Sequence, residues 1–213
     1  MSFAAVQRIL GVLLTVFSLT LLPPFVLSLF AEDGAADAFA SAFALTLGIG
    51  VLSWLPVRHI RRELRLRDGF VVVVMFWTVL SGIGALPFVL ADNPHLSVTD
   101  AVFESVSGLT TTGATVILSL DELPMSILYY RQQLQWLGGM GIIVLAVAVL
   151  PMLGIGGMQL YRAETPGPMK DNKLTPRITE TAKALWYIYL GLTVACGLAY
   201  WLAGMSVFDA VGH

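Results

Sequence analysis

The stretch Ser97–Thr115, SVTDAVFESVSGLTTTGAT, constrains this chain more than any other. It lies between two segments apolar enough to cross a bilayer, yet it is not built to cross one itself. Ser97-x-x-Asp100 is a helix-start pattern, in which the serine hydroxyl accepts from the N–H three residues on. A helix of about a dozen residues, at roughly 1.5 Å per residue, reaches about 18 Å, well short of a hydrocarbon core of roughly 30 Å. It is followed by Thr110-Thr111-Thr112-Gly113-Ala114-Thr115, a run of small side chains with one glycine. Non-helical backbone is tolerated at membrane depth only inside protein or against a water-filled path. A half-length helix ending in such a loop, between spanning helices, is a way to line a cation path with carbonyl oxygens.

The rest of the chain provides the membrane. Of its residues, 57% are hydrophobic and 12% charged, with a mean hydropathy of +0.81. Five segments are long and apolar enough to span, at about 4–30, 38–57, 69–91, 127–153 and 184–203. The first is too long in its apolar run for a secretory signal and lacks a small-residue cleavage site, so it reads as an anchor. Pro23-Pro24 should bend it near its far end. The net charge of −2 says nothing about nucleic acid, but no basic patch interleaved with aromatics is present, so none is expected as a partner. Cys196 is the single cysteine, which rules out an intrachain disulfide; it reads as a buried packing residue. His59, His95 and His213 have no metal-ligand spacing, and no nucleophile–base set stands out, so an enzyme is not expected.

Loop charges orient the spans. RHIRRELRLRD, with arginines at 58, 61, 62, 65 and 67, separates the second and third segments. The loop after the fourth carries Arg162, Lys170, Lys173, Arg177 and Lys183, whereas AEDGAAD between the first two is acidic. The positive-inside rule places both basic loops and the N-terminus in the cytoplasm, with the Ser97 loop outside.

An internal repeat supports this layout. SVTDAV (97–102) recurs as SVFDAV (206–211), five of six residues matching at an offset of 109. Both copies follow a span that ends outside, and both carry Ser-x-x-Asp. The second copy reads as the start of another half-length helix, which makes the chain the opening part of a longer protein. The alternative is a short protein that completes its pore by tetramerising.

SVSGLTTTGATV (105–116), QWLGGMGI (Gln135–Ile142) and LPMLGIGGMQLYRAETPGP (Leu150–Pro168) together resemble the Trk-type potassium uptake proteins of the Trk/Ktr/HKT superfamily. The likeness runs from about residue 4 to the last residue. It implies an all-α polytopic membrane protein built from potassium-channel-like helix–pore loop–helix units. Residues 1–68 would be two leading helices with the arginine-rich loop, 69–160 the first unit, and 161–213 the opening of the second. The resemblance further implies potassium uptake across the bacterial inner membrane, with carbonyls of Thr111, Thr112 and Gly113 coordinating potassium and Thr110 at the inner mouth. It implies a homodimer, no cofactor of the chain's own, and a cytoplasmic nucleotide-binding regulator, TrkA, with a site for NAD(H) or ATP. A sodium-permeable or proton-coupled carrier on the same scaffold is the alternative.

Several residues keep two readings. Potassium channels carry TVGYG where this chain has Ala114-Thr115 after its one glycine, so weaker discrimination against sodium is expected. Gly113 should supply a turn that a Cβ resists, and Gly113→Ser should crowd the strand. Glu104, mid-helix at membrane depth, either adds negative potential near the ion path or bonds to backbone behind the loop. Arg131 is either its partner or snorkels to the outer interface. Gly138-Gly139-Met140-Gly141 and Gly154-Ile155-Gly156-Gly157 suit close helix packing or a hinge. The basic loops serve topology alone, or else the regulator and anionic lipid.

Overall fold

The computed structural model describes residues 3–59, 66–141 and 175–212, all helix, turn or irregular chain with no strand among them. Arg61, Arg62 and Arg65 of the first basic loop, most of the second basic loop, the far half of the fourth apolar segment and the Gly154–Gly157 run fall outside the described residues. Four described stretches are long and apolar enough to cross a membrane: Phe3–Ala31, Ala36–Val57, Val71–Leu90 and Lys183–Leu202.

The first span is broken where its prolines require. Helix α1 (Phe3–Leu19) ends in a turn at Thr20-Leu21, and α2 (Leu22–Ala31) restarts with Pro23-Pro24 in its first turn. A helical Thr20 carbonyl would take the N–H of residue 24, which proline lacks. Helix α3 (Ala36–Trp54) returns antiparallel along α1. The two backbones meet at paired glycines: a Cβ on Gly11 would lie 2.8 Å from the Trp54 nitrogen, and one on Gly50 2.8 Å from the Thr15 nitrogen. Small residues permit such approach in lipid, where helix packing supplies much of the association energy.

The third span repeats the device. Helix α4 (Leu66–Gly84) gives way to the short α5 (Leu86–Leu90), with Pro87 in its first turn. The Phe88 N–H turns to the Ala85 carbonyl at 3.1 Å, leaving that of Gly84. Then come α6 (Val98–Leu109), α7 (Met125–Gly139), α8 (Thr175–Leu202) and α9 (Val207–Gly212).

Helix α7 mends both breaks. The Gln133 side-chain amide donates to the Thr20 carbonyl at 2.6 Å, and the Tyr130 hydroxyl to that of Gly84 at 2.9 Å. Each freed carbonyl thus has a donor, as the membrane interior demands. The Tyr130 ring is fully buried between Phe39 and Phe88, with centroids 5.5 and 5.3 Å away. One apolar core therefore joins the leading helices to α4–α7. Helix α8 is mostly exposed and joins α7 through two bonds, Trp136 Nε1 to Thr193 Oγ1 and Tyr189 Oη to the Trp136 carbonyl, both at 3.0 Å. Cys196 corrects its sequence reading: it is exposed on α8, because this helix packs along so little of its length.

Candidate functional site

The site is built on α6. Ser97 caps its start, with Oγ accepting from the Asp100 N–H at 3.2 Å while the hydroxyl donates to Asp100 Oδ2 at 2.7 Å. The 12-residue helix then runs to Leu109, half the length a span needs.

Its end is capped by the loop residues themselves. The Thr111 N–H bonds the Gly108 carbonyl and the Thr112 N–H the Ser107 carbonyl, each at 2.9 Å. That pair of bonds is the Schellman arrangement, which places one residue in the left-handed region. Glycine usually fills that place, but here it is Thr111, with φ +55°. A β-branched residue there is strained, and such strain persists only where surroundings over-determine the backbone. Gly113 is the second left-handed residue, φ +74°. The Ser107 carbonyl also lies 3.4 Å from the Gly113 nitrogen, and its hydroxyl donates to the Ala114 carbonyl at 2.6 Å. Ser107 is thus the pivot of the loop, and sequence reasoning missed it. A serine in the last turn of the helix, just before a threonine run, was the available signal.

Glu104 holds the loop's outgoing strand. Its Oε1 accepts from Thr115 Oγ1 at 2.5 Å and from the Val116 N–H at 2.7 Å. Its Oε2 accepts from Arg131 Nε at 2.9 Å, with both side chains largely buried, 1% and 11% exposed. Of the two readings of each residue, the geometry favours backbone anchoring for Glu104 and pairing for Arg131. A carboxylate with three partners in a dry setting satisfies the rule that buried charge must be paired and bonded.

The candidate loop residues lie together immediately past α6. Thr110 Oγ1 bonds the Val106 carbonyl at 2.8 Å and lies 2.8 Å from Thr112 Oγ1, and Thr110 to Gly113 are all exposed. The expected crowding at Gly113 does not hold: a Cβ there meets nothing within 4 Å. A side chain would act through the left-handed backbone instead.

A second missed residue is Asp33, in the α2–α3 turn. Helix α7 follows Pro124 and has no side-chain cap of its own. Asp33 Oδ2 supplies one from 93 positions away, accepting from the Ser126 N–H at 2.8 Å. Its Oδ1 accepts from the Ser28 hydroxyl and from the Ala35 N–H at 3.2 Å. Burial pushes the Asp33 carboxyl up, but these hydrogen bonds outweigh it and hold it below its ordinary 3.8. Nothing local in AEDGAAD distinguishes Asp33 from Glu32 or Asp37.

The chain is similar to known transporters over its whole length. Residues 35–213 match the family model TrkH, described as a cation transport protein. The Trk system potassium uptake protein TrkH of Vibrio parahaemolyticus is 63% identical over 213 residues, and that of Escherichia coli K12 is 60% identical. TrkG of the latter organism is 48% identical over 208 residues, covering 98% of this chain. The crystal structure of the potassium transporter TrkH from Vibrio parahaemolyticus superposes with a TM-score of 0.82 at 57% identity, covering all of this chain and 42% of that one. The chain spans 44% of the length of the two TrkH relatives and 43% of TrkG.

Proposed function

The chain belongs to the TrkH family of cation transport proteins, and on that premise we propose that residues 110–113 form one quarter of a potassium-selective filter. Carbonyls of Thr111, Thr112 and Gly113 replace water around a transported potassium ion, with Thr110 at the inner mouth. The ion is cargo and crosses the bacterial inner membrane inward, driven by the membrane potential. The observation that carries this reading is a loop backbone fixed from both sides: Schellman bonds to Ser107 and Gly108 hold its start, and Glu104 holds its exit. Irregular backbone held this firmly after a half-length helix suits repeated coordination of a dehydrated ion.

In this reading residues 1–68 are a leading pair, 69–160 the first helix–pore loop–helix unit, and 161–213 the opening of the second. The N-terminus faces the cytoplasm, as the loop charges require. The basic cytoplasmic loops meet a TrkA-type regulator that binds NAD(H) or ATP, and the whole protein works as a homodimer. Glu104, with three bonding partners, serves the filter's shape; proton coupling would need a carboxylate with fewer commitments.

Rubidium uptake into potassium-starved cells lacking their own uptake systems tests the proposal. The product of the whole gene should restore saturable uptake. No uptake with the regulator co-expressed would contradict the assignment.

A further inference from the structure

The glycines of QWLGGMGI do more than let two helices touch. A Cβ on Gly138 would lie 2.1 Å from the Leu109 carbonyl oxygen, 2.7 Å from its carbon and 3.0 Å from its Cα. The approach is reciprocal one turn away, where a Cβ on Gly108 would lie 2.9 Å from Leu134 Cβ. Leu134 and Gly138 are four apart on α7 and so share a face. Leu109 and Leu134 are both buried, 3% and 0% exposed. Each helix therefore seats a leucine position against a bare glycine of the other, and at Gly138 the contact is with main chain.

The contacted carbonyl belongs to the last residue of α6, and its planar peptide continues directly into Thr110. We propose that Gly138 is a specificity-determining position: its bare α-carbon sets the position of the Leu109–Thr110 peptide, and so of the filter's inner mouth. The inference rests on the filter reading above and extends it to a residue outside the loop.

A methyl group at 138 must gain close to an ångström of separation from the Leu109 carbonyl. Which side gives way follows from what holds each. Helix α7 is tied at four places: Asp33 at its N-terminus, Tyr130 to α4, Arg131 to α6, and Gln133 to the α1–α2 turn. The peptide at 109–110 leads into a loop with two left-handed residues. The bonds of that loop run to α6 itself, so the 109–110 peptide gives way with the loop attached to it. Carbonyl displacement on this scale changes the cage that would replace the ion's water, and so which ion fits.

The neighbouring Gly139 provides the matched control. Among the described residues its Cβ would lie nearest the Tyr189 side chain, 2.5 Å from the hydroxyl, rather than the Leu109 carbonyl, so Gly139→Ala makes the same change of side chain away from the 109–110 peptide. The test measures the midpoint of heat unfolding of the purified protein, expressed from its whole gene, against potassium and sodium concentration. The ratio of the two apparent affinities is read for wild type, Gly138→Ala and Gly139→Ala. We expect preference for potassium in wild type and Gly139→Ala, and a ratio lowered about tenfold in Gly138→Ala. An unchanged ratio in Gly138→Ala overturns the inference alone, whereas no potassium preference in wild type overturns the filter reading and this inference with it. If Gly138→Ala does not accumulate, wild type labelled with carbon-13 at leucine carbonyls and glycine α-carbons serves instead. The Leu109 carbonyl and Gly138 α-carbon resonances should shift together when sodium replaces potassium, and stationary resonances overturn the proposal.

Discussion

The chain starts two helices with nearly the same six-residue phrase, five of six residues matching, and how α6 starts differs in kind from how it ends. At Ser97 and at Ser206 the hydroxyl donates to the aspartate three residues on at 2.7 Å, and Oγ accepts that residue's N–H at 3.2 and 3.1 Å. The starts are alike because they are local, needing only Ser-x-x-Asp. Beyond them, α6 runs 12 residues and buries Ala101, Glu104, Ser105, Ser107, Gly108 and Leu109. At α6, what turns a capped half-helix into a held loop is supplied by other elements. Arg131 pairs Glu104, Gly138 receives Leu109, and Asp33 fixes the helix that carries both.

Removing Glu104 should separate the two copies most. Glu104→Ala takes two bonds from the loop exit and leaves Arg131 buried without its partner, at a cost of about 3–5 kcal/mol. Chemical unfolding in detergent measures it, and a loss below about 1 kcal/mol would show that the pair contributes little.

Asp33→Asn should come next, at about 2 kcal/mol, the scale of hydrogen bonds to a charged acceptor. Because the folded carboxyl lies below its ordinary value, its contribution is present above about pH 4 and fades as pH falls through the folded value. The stability gap between wild type and Asp33→Asn should therefore narrow on acidification below about pH 4. A gap constant from pH 7 to 3 would mean that the charge is immaterial.

The smallest effect sharpens the comparison itself. Ser97→Ala and Ser206→Ala should each cost about 1 kcal/mol, and by similar amounts, since each removes one cap of the same geometry. A Ser97→Ala penalty several times larger would show that the first start depends on its surroundings.

The sequence carries the fold further than the site, and the reason is range. The four described spans, the Pro23-Pro24 break and the Ser97 start follow from apolar run length, proline chemistry and capping, whereas Arg131 has two readings in the sequence, between which its bond to Glu104 decides. Asp33 does not, because its partner lies 93 residues away and its neighbours Glu32 and Asp37 look equally suitable. Thr111 in a left-handed conformation runs against its own preference, so propensity points away from it. Ser107 matters chiefly through a carbonyl that every residue has. Gly113 as the turn residue is legible, and its φ of +74° agrees, whereas the crowding expected of a side chain there is absent because the space around it in this chain is open.

The most direct test of the central claim is the potassium-to-sodium permeability ratio of the reconstituted whole-gene product carrying Gly113→Ser. A serine at φ +74° costs roughly 1–2 kcal/mol in backbone preference without a steric clash in this chain, so the loop should relax toward another conformation. The expected outcome is a folded protein whose preference for potassium falls about tenfold, as that energy implies. A folded Gly113→Ser protein with the wild-type ratio would contradict it.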